Sequence, residues 1–135
     1  MKEIFYPVAA LVALTFAVGV RVYLARSGAA RAGRVKIKDF RVGESANVPA
    51  DVVLPNRNFM NLLETPVLFY VACVILYVTR SVDTLALTLA WIYVGLRAAH
   101  SVVHLTYNNV IHRLGAFAAS TAVLLVLWIK LVVSL

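Results

Sequence analysis

Charge is scarce in this sequence and missing altogether from four stretches: residues 4–20, 65–79, 84–96 and 114–129 contain no Asp, Glu, Lys or Arg. Only 14% of the 135 residues are charged, against 62% hydrophobic. That balance excludes a small soluble domain, which would need a far more polar surface. Cysteine is almost absent. Cys73 is the single one, so no disulfide framework can form within one chain, and an inert buried thiol is expected. Acids are the rarer charge, six against thirteen Lys and Arg. The basic excess has no separate polar module to sit on, which excludes a folded nucleic-acid-binding unit.

The charge-free stretches are somewhat shorter than the roughly 20 apolar residues a spanning helix needs. Polar residues and snorkelling Arg or Lys can complete the ends. The expectation is an all-α integral membrane protein, one domain over 1–135, with four transmembrane helices at about 4–25, 56–80, 82–107 and 110–133. Helices satisfy their own backbone hydrogen bonds inside the bilayer. Residues 4–25 are expected to stay as the first helix. Met1-Lys2-Glu3 is not clearly basic, Arg21 follows the apolar run, and no small-residue cleavage site comes directly after it.

From Arg21 to Arg57, both included, there are eight Lys or Arg residues against three acids, Asp39, Glu44 and Asp51. The positive-inside rule puts the 26–55 loop in the cytoplasm, the turn at 107–113 on the same side, and both termini outside. The loop reads as a mobile connection holding Gly28, Gly33, Gly43, Pro49 and Pro55. The Val35-Lys36-Ile37-Lys38 alternation leaves room for a short extended piece. Anionic lipid headgroups offer the loop a second use.

The ionisable residues inside the apolar segments carry the functional signal, because charge in hydrocarbon is costly and marks sites. Arg57, Asn61 and Glu64 stand at i, i+4 and i+7 on one face of the second helix. Arg97, His100 and His104 stand at i, i+3 and i+7 on one face of the third. Glu64 lies roughly 10 Å deep at 1.5 Å per residue. Arg21 ends the first helix and Arg113 starts the fourth, so four helices aim polar groups at the same half of the bilayer. On a purely structural account, Arg57–Glu64 and Arg97–Glu64 are packing ion pairs and the histidines bond to nearby backbone or hydroxyl groups. Four guanidiniums around one acid favour an anionic ligand instead, since unpaired buried charge is expensive. A metal is not expected: His100 and His104 lack a local third ligand and sit among cations.

Arg57-x-x-x-Asn61-x-x-Glu64, followed by Pro66 and Phe69, resembles the second-helix motif of the MAPEG family, the membrane-associated proteins in eicosanoid and glutathione metabolism. Arg97-x-x-His100, with Arg113 sixteen residues on, resembles that family's third helix and the turn after it. The resemblance implies a four-helix bundle assembled as a homotrimer, with glutathione in polar pockets between subunits. By position it implies that Arg21, Arg57, Asn61, Glu64, Arg97 and His100 bind glutathione, with His104 one turn further on. It gives Arg113 the catalytic place beside the thiol. The partners it implies are membrane lipids and a lipophilic small-molecule substrate.

The sequence departs from the family pattern at four places. His104 replaces a tyrosine one turn beyond His100, Phe117 replaces a second tyrosine, Leu114 follows Arg113 where the prostaglandin E synthase member has serine, and Met60 precedes the motif asparagine in place of arginine. These changes remove hydroxyl donors and one cation. Two readings of function follow. The first is a glutathione-dependent transferase or peroxidase acting on lipophilic electrophiles by thiolate activation near Arg113. The second is a non-catalytic lipid-binding member of the family. A small multidrug transporter, which also has four helices, is disfavoured by the lack of an acid in residues 4–20.

Overall fold

A computed structural model describes residues 1–135. The chain is helical throughout, apart from short turns and one isolated bridge between Arg41 and Gly43. The helices are α1 (Phe5–Arg31), α2 (Ala50–Glu64), α3 (Pro66–Val78), α4 (Thr84–Leu105) and α5 (Val110–Val133), with short 3-10 turns at Lys2–Ile4 and Ile37–Phe40. Four segments are long and apolar enough to cross a bilayer: Lys2–Arg31, Ala50–Val78, Thr84–Leu105 and Val110–Val133.

The second span is two helices joined at Thr65. Thr65 keeps helical torsions, so the direction of the span is preserved. Pro66 nevertheless supplies no N–H for the carbonyl of Leu62, and its ring crowds that carbonyl. Helix α1 runs six residues past the expected end at 25. Arg26 and Arg31 are good helix formers and do not stop it. Gly33 does, at φ 71°, with Arg34 N–H on the Ala29 carbonyl at 2.9 Å and Gly33 N–H on that of Ala30 at 3.1 Å. That pair of bonds is a Schellman cap, and it needs a residue that tolerates the left-handed region. Helix α2 likewise starts at Ala50, earlier than expected, directly after Pro49.

Helix α4 packs along α5 most extensively, and α1 packs against α2 and α4. Gly19 marks the tightest approach of α1 and α2, where a Cβ would stand 3.2 Å from the Phe59 ring. Phe69 and Tyr93 stack at 4.7 Å between ring centroids in the centre of the core. Ser101 donates to the Asn58 side chain at 3.1 Å, both residues being buried, which clasps α2 to α4. Trp128 Nε1 donates to the Leu68 carbonyl at 3.2 Å, and Lys130 pairs with Asp83 at 3.2 Å, closing α5 against the first part of the bundle. Only 30 of the 135 residues are buried. The outer faces carry Phe16, Val20, Val71, Val74, Ile92, Leu125 and Ile129, which suits hydrocarbon and not water.

The 32–49 connection is tied down rather than extended or loose. Asp39 accepts from the Lys36 backbone N–H at 2.8 Å and from Ser45 at 3.2 Å. Glu44 accepts from Asn56 at 2.7 Å and from Arg26 at 3.3 Å. Arg34 forks onto Asp51 at 3.0 and 2.7 Å. Val35 and Val48 bury themselves against Ala29 and Val52 in a small second core. Of the Val35–Lys38 alternation, Lys36 keeps an extended backbone, while Ile37 and Lys38 enter the 3-10 turn Ile37–Phe40, which Asp39 caps from inside.

Candidate functional site

Asn61 lies in the last turn of α2, just before the break at Thr65. Arg97 of α4 faces it, is completely buried, and donates through Nη2 to the Asn61 side-chain oxygen and to the Asn61 backbone carbonyl, the latter at 3.2 Å. No carboxylate pairs with Arg97. Its Nε and Nη1 are buried without a partner, and its guanidinium stands 5.7 Å from the centre of the Phe117 ring. A buried guanidinium of this kind is ordinarily matched by a charge.

Above this pair opens a cavity of about 480 Å³, lined by Leu54, Arg57, Asn61, His100, His104, Asn108 and Arg113. A second hollow of about 250 Å³ shares Asn61, His100 and Arg113, and its remaining wall is Val110, Leu114 and Phe117. The polar cavity and its apolar annex thus meet at three residues. Neither contains an acid. His100 and His104 are buried, with ring centroids 5.7 Å apart, and each has its Nδ1 without a partner. No group of three His, Cys, Asp or Glu side chains is placed to hold a metal ion.

The turn between α4 and α5 positions Arg113. Asn108 sits at φ 46°, a conformation that asparagine tolerates better than most residues. From there its Oδ1 accepts from Arg113 Nη1 at 2.7 Å. Asn109 caps α5, accepting from the N–H groups of Ile111 and His112 at 3.0 and 3.1 Å. The first turn of α5 therefore borders the cavity, with the positive end of its dipole there.

The structure brings together five of the residues expected from sequence, Arg57, Asn61, His100, His104 and Arg113, with Arg97 bonded to Asn61 behind the cavity wall. Arg21 and Glu64 do not line either hollow. Both are exposed on the single chain. Neither Arg57–Glu64 nor Arg97–Glu64 forms as an ion pair. Arg57 instead reaches Glu44 of the loop, at 3.9 Å. Asn108 was missed by sequence reasoning, although an Asn-Asn pair ahead of an apolar run is a helix-start signal. Glu44 was also missed, and no local pattern could have singled it out, because its partners lie 12 to 18 residues away.

The four candidate spans, with this cationic cavity between them, define a multi-pass integral membrane protein with a four-helix bundle. A model of the MAPEG family matches residues 4–133, and the chain belongs to that family. Membership supports, at the level of the family, a membrane function related to glutathione transfer or peroxide chemistry. Searches of curated proteins and of solved structures returned no match.

Proposed function

We propose that this protein is a membrane-embedded glutathione-dependent transferase or peroxidase acting on lipophilic electrophiles. The observation that carries the reading is Arg97, a buried guanidinium with two unpartnered nitrogens and no ion pair, bonded to Asn61 in the wall of a cavity lined by two further guanidiniums. Such a site favours a ligand that brings its own carboxylates, as glutathione does twice over. Arg57 and Arg113 supply the forks. Arg97 holds the Asn61 side chain by its oxygen, which turns the amide NH2 outward as a donor.

Glutathione as cosubstrate brings the thiol that becomes the nucleophile. Arg113, at the seam between polar cavity and apolar annex, favours the thiolate over the thiol. Asn108 fixes that guanidinium, so little reorganisation is needed when charge develops. The Val110, Leu114 and Phe117 wall accepts a lipophilic electrophile beside the sulfur, so the two reactants meet by proximity. Arg21 and Glu64, exposed on the single chain, complete the site across the subunit boundary of a homotrimer, with Glu64 accepting from the ligand's ammonium. The basic 32–49 connection and the turn at 106–109 face the cytoplasm, and both termini lie outside.

A second reading has a specific observation behind it. The wall next to Arg113 contains no hydroxyl, which suits a lipid-binding member without chemistry. Thermal unfolding of the detergent-purified protein separates the two. Glutathione raises the melting temperature on the first reading, whereas on the second it has no effect and co-purified lipid occupies the hollow.

A further inference from the structure

A groove of about 530 Å³, sharing no lining residue with the cationic cavity, lies between the last three turns of α1 and the 35–40 segment. Its apolar floor is Val22, Tyr23, Ala30, Val35 and Phe40, and Arg26, Ser27 and Lys36 stand on its rim. The position of the groove along α1 matters. Helix α1 has 27 residues, about 40 Å at 1.5 Å per residue, against a hydrocarbon core of about 30 Å. A span entering near Ile4 leaves the hydrocarbon near Tyr23, so the groove sits at headgroup level.

The charges around it are sorted. Both acids of the segment are turned inward: Asp39 caps the Lys36 turn, and Glu44 is held by Arg26, Asn56 and Arg57. Lys36, Lys38 and Arg41 are exposed and enter no ion pair. Between them Ile37 and Val42 are 93% and 91% exposed. Large apolar side chains flanked by free cations match the acyl-to-headgroup boundary of an anionic membrane. The Arg26 guanidinium lies 4.7 Å from the Phe40 ring centre, and its Nε is buried without a partner.

We propose that the groove between α1 and the 35–40 turn is a binding site for one anionic phospholipid. Its acyl chain leaves the hydrocarbon along Gly19, Val22 and Tyr23, and its phosphate sits further out, at Ser27 and Lys36. Ile37 and Val42 insert beside it and hold the loop on the membrane surface. The site is independent of the glutathione reading, since it shares no residue with the cationic cavity.

The test uses the full chain in nanodiscs of equal phosphatidylcholine and phosphatidylglycerol. Lipid retained after transfer to detergent is counted by native mass spectrometry. The expected result is enrichment of phosphatidylglycerol, reduced about fivefold in Lys36→Gln. That substitution keeps the backbone N–H bonded to Asp39. Ala30→Trp, which fills the groove, removes retention of both lipids. Equal retention of the two lipids, or enrichment unchanged in Lys36→Gln, overturns the proposal. So does stabilisation by glycerol phosphate alone, which would make the acyl chain irrelevant. An oxidised Tyr23→Cys variant that forms a disulfide between copies overturns it as well, because a second copy then covers the groove.

Discussion

Arg97 of α4 and Asn61 of α2 are locked together inside the bundle, the guanidinium donating to the asparagine's side-chain oxygen and to its backbone carbonyl. The pair lies beside the break that Pro66 imposes on the second span. It anchors α4 to α2 and also presents the Asn61 amide to the cavity. One residue therefore serves packing and recognition together, and the two roles separate by substitution.

Asn61→Ala removes the main partner of a buried cation. A hydrogen bond to a charged group is worth about 1.5–3 kcal/mol, and unfolding in detergent should show a loss of that order. Asn61→Asp should do the opposite to the free protein: its carboxylate neutralises Arg97 and raises the melting temperature. The same substitution weakens an anionic ligand, so glutathione should stabilise Asn61→Asp less than it stabilises the native chain.

Glu44 is the hub of the 32–49 connection, and its side chain is only 6% exposed. Glu44→Ala frees Arg26, Asn56 and Arg57 together. The expected outcome is faster limited proteolysis within residues 32–49, with cleavage at Lys36, Lys38 or Arg41 read by mass spectrometry. Stability of the transmembrane bundle should fall by less than that of the loop, since Glu44 and its three partners lie outside the main apolar core of the spans.

Asp83 supplies the pH-dependent prediction. Its carboxyl is held below the usual carboxylate range, first by the Ala86 backbone N–H that it accepts at the start of α4, with Lys130 helping. A depressed folded-state pKa gives stability that is present above the unfolded value and lost as pH falls through the folded one. The melting temperature of the native chain should therefore exceed that of Asp83→Ala at pH 7. The gap should close as the pH falls below the ordinary aspartate value of about 3.9. A gap that persists at low pH would mean the cap does not act through its charge.

The four spans were legible because charge-free runs of this length admit few alternatives. The meeting of α2, α4 and the α4–α5 turn was legible from helical spacing, which put Arg57 with Asn61 and His100 with His104. The extent of α1 was not, because Arg21 marks a membrane boundary and a membrane boundary does not have to be a helix end. Ala-rich residues 25–32 carry the helix onward until Gly33 stops it. The partner of Arg57 was not legible either. Glu64 stands one face-repeat away in sequence, but Glu44, brought over by the folded loop, is the acid that reaches it. Spacing along one helix reports which residues share a face. It says nothing of what a folded connection brings to that face.

Arg113 is the residue on which the proposed chemistry turns, and the bound thiol reports on it directly. A guanidinium within a few ångströms shifts an acid's pKa by about 1–3. Adding glutathione to the purified protein at pH 7 should therefore produce the ultraviolet absorbance of a thiolate. Arg113→Ala should abolish the signal, and Asn108→Ala, which only releases the guanidinium, should reduce it. Absence of the absorbance in the native chain, with no glutathione binding and no turnover of any general electrophile, would contradict the account.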